Sequence, residues 1–205
     1  MTAAAHRVAG RPVDKVAARR SELAAAALKT LAERGYAQTG LRDIAQNSEF
    51  SHGVLHYYFA DKTELITHCV RQYKERCATR YDEVVATATT AEELAAGFLQ
   101  KLSETLTDEA HLHRLWYDLR NQSMFETAFR ADVAAIDLLL EAMIWRIATR
   151  YAELSGQTPQ VASPAMYAIF DGLFQQALLR QLAGERSAAA GLRAAVSEVL
   201  PNLFR

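Results

Sequence analysis

Apolar residues recur every three or four positions along most of this 205-residue chain, which is the spacing of one face of an α-helix. The pattern predicts helices over residues 19–34, 41–46, 51–59, 61–85, 91–106, 109–122, 125–154, 164–182 and 187–200. No segment shows the apolar and polar alternation of a half-buried strand, and only four prolines and nine glycines interrupt the chain. We therefore predict an all-α fold.

The predicted helices divide the chain into a small head and a larger body. The first three form a three-helix head over residues 19–62, in which the second and third helices make a helix-turn-helix. Residues 63–205 form the helical body, and the long helix from Asp61 connects head and body. Residues 1–18 form a basic arm that has too few apolar residues to fold alone.

The third helix has an unusual outward face. Ser51 is a good N-cap residue, and the helical spacing turns Leu55 and Phe59 inward. The outward residues are small, polar or aromatic instead of Lys and Glu: His52, Gly53, Val54, His56 and Tyr57. Imidazole and phenol groups bond base edges and phosphates, and a valine methyl contacts thymine. This face is typical of a helix that reads the major groove of DNA.

The same stretch resembles the DNA-binding segment of the TetR family of bacterial transcriptional regulators. The matching residues are Thr39, Arg42-Asp43-Ile44-Ala45, Ser51, Gly53, Leu55, Tyr58-Phe59 and Lys62. The resemblance implies that Arg42, His52, Val54, His56, Tyr57, Tyr58 and Lys62 face DNA. Thr39 is placed to cap the second helix, and we include Thr39, Ser51 and Gly53 in the predicted DNA-binding surface.

Three departures from the family pattern affect the head, and one of them is His56, which stands where Tyr is common. Gly40 stands where Thr or Ser is common, which removes a hydroxyl contact to phosphate. Ser48-Glu49-Phe50 replaces the usual Ala-Gly-Val turn. A left-handed Glu49 would be strained by about 1–2 kcal/mol. If the turn is distorted in this way, the head would be a helical interaction module that has lost DNA binding.

The basic arm suggests a further DNA contact. Arg11 is placed to enter the minor groove beside the recognition helix, as arms of other helix-turn-helix proteins do. The alternative is a disordered tail without a DNA contact. Charge along the chain agrees with a DNA-binding head: residues 1–80 have a net charge of +5 and residues 81–205 of −6, although the whole chain has only −1.

The body combines large apolar residues with a few polar ones, as small-molecule pockets do. Two helix faces supply the predicted pocket: Trp116, Arg120 and Met124 on one, and Tyr167, Phe170 and Phe174 on the other. The resemblance favours a pocket because family members enclose an inducer here, so we predict a repressor that a small-molecule ligand releases from DNA. The alternative is a plain hydrophobic core.

The last two helices have apolar stripes suited to self-association. The stripes are Met166, Ile169, Leu173 and Ala177, and Leu192, Ala195, Val196 and Val199. TetR-like regulators pair through their two final helices, so the resemblance implies a homodimer with recognition helices about one DNA turn apart and a palindromic operator. Otherwise these stripes face only the core of their own chain.

Other classes of protein have little support. The sequence contains no Gly-rich phosphate loop, nucleophile elbow or His-Glu-x-x-His pair, so we expect no catalytic residue, cofactor or metal. No apolar run is long enough for a membrane span or an export signal, and we expect a cytoplasmic protein. His111 and His113 point in different directions and are expected on the surface. Cys69 and Cys77, about 12 Å apart along one helix, cannot form a disulfide with each other. A metal- or redox-responsive regulator remains the alternative.

Overall fold

The computed structural model describes residues 12–205, with side chains from Lys15 onward. Within these residues the chain is all-α, as predicted, and its extended pairing is limited to a bridge between Pro159 and Phe204. Two short 3-10 turns (Thr127–Phe129 and Leu200–Leu203) accompany the helices. The helices are α1 (Pro12–Arg34), α2 (Leu41–Gln46), α3 (His52–Tyr58), α4 (Lys62–Thr79), α5 (Asp82–Thr87), α6 (Ala91–Asp108), α7 (Ala110–Gln122), α8 (Arg130–Ser155), α9 (Ser163–Leu182) and α10 (Ala188–Val199).

Helix α1 is longer than predicted. It begins at Pro12, so the expectation that a separate arm extends to residue 18 is wrong. Proline is well suited to the first turn of a helix because its missing N–H has no partner there in any case. Arg11 and the rest of the arm lie outside the described residues.

The chain divides into two compact units, and the boundary falls inside α4, between Cys69 and Val70. The predicted boundary at residue 62 is therefore seven residues too early. Leu65 and Ile66 are fully buried, and the Cys69 thiol donates to the carbonyl of Ala24 on α1 at 3.3 Å. The first turns of α4 thus complete the head.

The predicted helix over 61–85 is two helices. Helix α4 ends at Thr79, where the N–H of Arg80 donates to the carbonyl of Cys77 in a tighter turn. Helix α5 then begins at Asp82. No Gly or Pro lies between residues 61 and 90, so the sequence contains no local signal for this break.

The body is built from the last turns of α4 and helices α5–α10. Helix α9 packs against both α8 and α10, and α6 contacts α8, α9 and α10. Gly156 ends α8 in the left-handed conformation (φ 69°), and the chain terminus returns to pair with the loop that follows, through Thr158 and Arg205. None of the helices in the described part of the chain has the length and apolarity that crossing a bilayer requires.

Candidate nucleic-acid interface and body cavity

Helix α3 presents one face to the head interior and the other to solvent. The Ser51 hydroxyl accepts a hydrogen bond from the Val54 N–H at 3.3 Å, so Ser51 is the N-cap, as predicted. Leu55 and Phe59 are almost completely buried. On the opposite face, Tyr57 keeps 82% of its surface exposed, and the rings of His52 and His56 stack edge to face at 4.4 Å. Gly53 is also exposed, and Val54 and Tyr58 are half-buried.

Arg20 of α1 holds the C-terminal end of α3 in place. Its guanidinium donates to the Tyr58 carbonyl and to the Glu64 carboxylate, each at 2.7 Å, and lies 4.4 Å from the Phe59 ring centre. The second oxygen of Glu64 accepts the Ala60 N–H. That N–H, and then Arg20, lower the pKa of Glu64. The exposed face of α3 is therefore supported by contacts on its inner side.

The loops before and after α2 accommodate the departures at Gly40 and at Ser48-Glu49-Phe50. The N–H of Gly40 donates to the Asp43 carboxylate at 2.7 Å, so α2 has a cap without a hydroxyl at position 40. No residue other than glycine has a positive φ within the described chain, so Glu49 is not left-handed and the suspected strain is absent. Phe50 is buried beneath the guanidinium of Arg19, 4.6 Å from its ring centre.

Two predicted DNA-binding residues have different surroundings from those expected. Thr39 is 1% exposed, and its hydroxyl donates to the Gly35 carbonyl at 2.8 Å. The predictions that it caps α2 and faces DNA are therefore wrong, because the loop after α1 turns its side chain inward and Gly40 is the N-cap. Lys62 is half-buried and donates to the Tyr36 carbonyl. Arg42 is exposed on α2, as expected.

The body contains a cavity with a mostly apolar wall. Helices α4, α6, α7, α8 and α9 contribute to it. The lining residues are Lys74, Cys77, Arg80, Tyr81, Phe98, Leu102, Thr105, His113, Trp116, Tyr117, Leu140, Met143, Ile144, Tyr167, Phe170, Asp171 and Phe174.

Charged and polar groups meet in one part of this wall. The Lys74 ammonium lies 3.1 Å from Nδ1 of His113, and both side chains are buried. Burial lowers the pKa of Lys74 to about 8. Burial, and then the charge of Lys74, hold the pKa of His113 well below its usual value. The expectation that His113 lies on the surface is wrong, while His111 is exposed as predicted.

Comparison with known proteins assigns the head to a family. Residues 23–69 match the model of the bacterial regulatory proteins of the tetR family. The chain is 29% identical over 154 residues to the HTH-type transcriptional repressor KstR2 of Mycobacterium tuberculosis, covering 62% of this chain and 75% of that one. This chain belongs to the TetR family. It is a helix-turn-helix DNA-binding regulator.

Solved structures extend the likeness of this TetR-family chain to its body. A TetR regulator from Haloarcula marismortui has a TM-score of 0.75 at 19% identity, covering 92% of this chain and 100% of that one. FadR from Bacillus subtilis, in complex with stearoyl-CoA, has a TM-score of 0.72 at 18% identity, covering 88% and 96%. At such identities the likeness concerns the fold.

Four of the six predicted pocket residues lie in the cavity wall of this TetR-family protein: Trp116, Tyr167, Phe170 and Phe174. Arg120 does not line the cavity, but it forms an ion pair with Asp171, which does line it. Met124 is 64% exposed, so its assignment to the pocket is wrong. Helix α7 ends at Gln122, so Met124 lies beyond the helix and does not share a helix face with Arg120.

The sequence pattern missed the polar part of the cavity, although it contains two signals. Lys74 follows Val70 by four residues and precedes Cys77 by three, so it interrupts an apolar stripe of α4. His113 precedes Trp116 by three residues and shares its face of α7. A charged group on an inward helical stripe indicates either a buried partner or a site.

The predicted dimer stripes are partly wrong. Met166, Ala177, Leu192 and Val196 are buried in the core of their own chain. On each of the two helices, these residues pack against other helices of the same chain and therefore cannot contact a partner. The remaining members, Ile169, Leu173, Ala195 and Val199, are half-buried beside an exposed face of small residues on α9 and α10.

One group of side chains has the atom types of a metal site. The ligand atoms of Cys77, Glu109 and His113 lie within 4.8 Å of one another. The Glu109 carboxylate, however, already accepts from Tyr73 and from Arg80. With Lys74 also adjacent, two cations surround this group, so its charge does not suit a metal ion. Burial also raises the pKa of the Cys69 thiol, which makes Cys69 a poor redox sensor.

Proposed function

We propose that this TetR-family protein is a repressor that binds a palindromic operator as a homodimer and leaves it when a small molecule occupies the body cavity. One observation carries the DNA-binding part. Helix α3 keeps Tyr57 and His56 exposed while Leu55 and Phe59 anchor its inner face. An exposed aromatic ring beside two imidazole groups on one helix face can contact base edges and sugars.

Specific contacts follow from the chemistry of the exposed face. His52, His56 and Tyr57 bond base edges and phosphates, Val54 contacts a thymine methyl, and Gly53 allows close approach of the backbone. Arg42 and Tyr58 flank this face, and we expect Arg11, which lies outside the described residues, to contact the minor groove. Repression is supported by the KstR2 relatives, which are transcriptional repressors. An operator in bacterial DNA implies action in the cytoplasm.

Ligand control is supported by the cavity and by structures of the same fold. The FadR structure is a complex with stearoyl-CoA, and the structure of a regulator from Saccharomonospora viridis is a complex with choline. In this chain, α4 supplies Lys74 and Cys77 to the cavity wall and supplies Leu65 and Ile66 to the head. A ligand that binds more tightly to one position of α4 shifts the population between DNA-competent and DNA-incompetent forms.

The experiment is a binding titration with labelled DNA from upstream of the protein's own coding sequence. We expect binding that is specific against unrelated competitor DNA and that Tyr57→Ala weakens by roughly tenfold, about 1.4 kcal/mol. Phe125→Ala is the matched control, because Phe125 is equally exposed at 83% but lies in the body. We expect this control variant to stay within twofold of wild type.

Two results would contradict this proposal. If wild type binds the upstream region no better than unrelated DNA at low salt, the head is an interaction module and not a repressor. If Tyr57→Ala and Phe125→Ala behave alike, α3 does not read the operator.

A further inference from the structure

Three residues of the cavity wall have N–H groups that no acceptor within the described chain satisfies. Lys74, His113 and Trp116 all line the cavity, and they are 2%, 6% and 1% exposed. An ammonium has only donors, so Nδ1 of His113 accepts from Lys74 and the imidazole proton is on Nε2. That Nε2 and the indole Nε1 of Trp116 have no hydrogen-bond partner within the described chain.

The carboxylates near these donors are already engaged. Asp171 accepts from the Tyr117 hydroxyl and forms an ion pair with Arg120. Glu109 accepts from Tyr73 and Arg80, as described above. Among residues 12–205, Lys74 forms no ion pair within 4.0 Å, and its ammonium lies 5.3 Å from the Trp116 ring centre.

Buried donors without acceptors destabilise a protein, and a buried ammonium without a carboxylate does so strongly. The fold nevertheless places three such groups in one cavity. A ligand in this cavity could supply the acceptors that these groups lack, and a negative charge on it would also offset that of Lys74. A cation is the wrong complement, since it would add to the positive charge of Lys74 and Arg80.

The rest of the wall determines the other part of the ligand. It is made largely of aliphatic and aromatic side chains: Phe98, Leu102, Leu140, Met143, Ile144, Phe170 and Phe174. These groups offer a ligand contact area and no hydrogen bonds. A molecule that fills this space is therefore apolar over most of its surface.

We propose that the cavity binds an apolar carboxylate, whose hydrocarbon part lies among the aliphatic and aromatic side chains and whose carboxylate accepts from Lys74, His113 and Trp116. Its regulatory consequence rests on the proposed function, but the binding itself does not. Arg120 and Arg80 offset the negative charges of Asp171 and Glu109 through ion pairs.

The test measures binding to the full-length protein without DNA. Straight-chain carboxylates of six to twelve carbons and the primary alcohols of equal length are titrated by calorimetry, each below its micelle concentration. We expect at least one carboxylate to bind wild type at least tenfold more tightly than its alcohol. In Lys74→Met we expect that carboxylate to bind at least tenfold more weakly, and the alcohol to change less than threefold.

Two further variants keep the test independent of folding. Trp116→Phe retains an aromatic ring and removes only the N–H, and we expect it to weaken carboxylate binding at least threefold without changing alcohol binding. Lys101→Met removes a lysine that pairs with Glu83 and does not line the cavity, so we expect wild-type affinities. Thermal unfolding of each variant reports whether it is folded.

The proposal is overturned if no carboxylate binds, if carboxylate and alcohol bind equally, or if Lys74→Met leaves their ratio unchanged. Operator release is measured separately, with the best carboxylate. Binding without release would contradict the proposed repressor mechanism and leave the carboxylate site intact. Operator binding by a protein that ignores every carboxylate would contradict only the site.

Discussion

Lys74 is a buried, charged residue in the cavity wall, and its presence there indicates a role in ligand binding. Replacing it with an apolar residue of similar length would remove a buried charge, so packing alone gives no reason for a lysine at this position. Burial lowers its pKa from 10.5 to about 8. A depression of that size corresponds to about 3 kcal/mol of destabilisation of the charged form.

The contribution of Lys74 to the free energy of unfolding of the ligand-free protein should therefore rise with pH between about 8 and 10.5. In that range the unfolded chain holds a proton on Lys74 that the folded chain has lost, so raising the pH favours the folded state. Below pH 8 the destabilisation is complete. We expect the stability advantage of Lys74→Met over wild type to shrink by roughly 1–2 kcal/mol from pH 7.5 to 9.5.

Urea unfolding of both proteins at equal concentration measures this difference. Other titratable groups also change protonation in this range. The difference between wild type and variant removes the contributions of groups that do not interact with Lys74. The charged or titratable groups facing it are Cys77, Arg80, Glu109, His113 and Asp171. An advantage that is constant or grows with pH would mean that Lys74 is not desolvated.

The contact between α5 and α6 explains a glycine in the middle of a helix. A Cβ added to Gly97 would lie 2.7 Å from Cγ1 of Val84, which is closer than two carbons approach without displacement. Valine is stiff at χ1, so its methyl groups cannot easily rotate away. Gly97 therefore permits the close approach of α5, which follows the break after α4.

Gly97→Ala should destabilise the protein although alanine is the better helix former. Relief of the glycine penalty gains about 1 kcal/mol and overpacking costs about 1–3 kcal/mol, so we expect a net loss of about 1 kcal/mol. In a Val84→Ala background, the same substitution should be neutral or stabilising. Chemical denaturation of the four proteins gives the coupling energy, and additive effects would contradict the proposed contact.

Helix α9 supplies the face through which we propose that two copies of the molecule associate. Its apolar residues are distributed around the helix, yet the face with Ala165, Ala168 and Gly172 is not covered by α6, α7, α8 or α10, which pack against the rest of the helix. Ala165, Ala168, Gly172 and Leu179 remain exposed, and Leu179 keeps 64% of its surface. A helix that is apolar all round is normally covered on all sides, so we assign this face to the dimer.

A large charged residue on this face should produce a monomer. No atom lies within 4 Å of a Cβ built on Gly172, so Gly172→Arg leaves the fold of the single chain undisturbed. We expect sedimentation to give half the wild-type mass and operator affinity to fall at least tenfold. Ala134→Arg, on the exposed side of α8, is the control and should remain dimeric. A dimeric Gly172→Arg protein would contradict the assigned face.

Helix α3 could be predicted from its sequence almost residue by residue. Ser51 caps α3, Leu55 and Phe59 point inward, and Tyr57 points outward, because these properties depend on neighbours within one or two helical turns. Helical periodicity similarly predicted α6 to α10 to within a few residues, apart from the start of α8. The outcome at Gly40 and Glu49 required the structure, since it depends on the Asp43 cap and the path of the turn.

Local spacing along the chain was thus enough to specify an all-α fold and the outward face of α3, and the resemblance to the TetR family supplied the regulatory function. Which apolar stripe faces the core, which faces a partner and which surrounds a cavity depended on contacts between distant segments. Lys74 and His113 meet across 39 positions of sequence, and Met166 and Val196 are buried by neighbouring helices of their own chain. Burial is a property of packed elements, and only the tertiary structure brings those elements together.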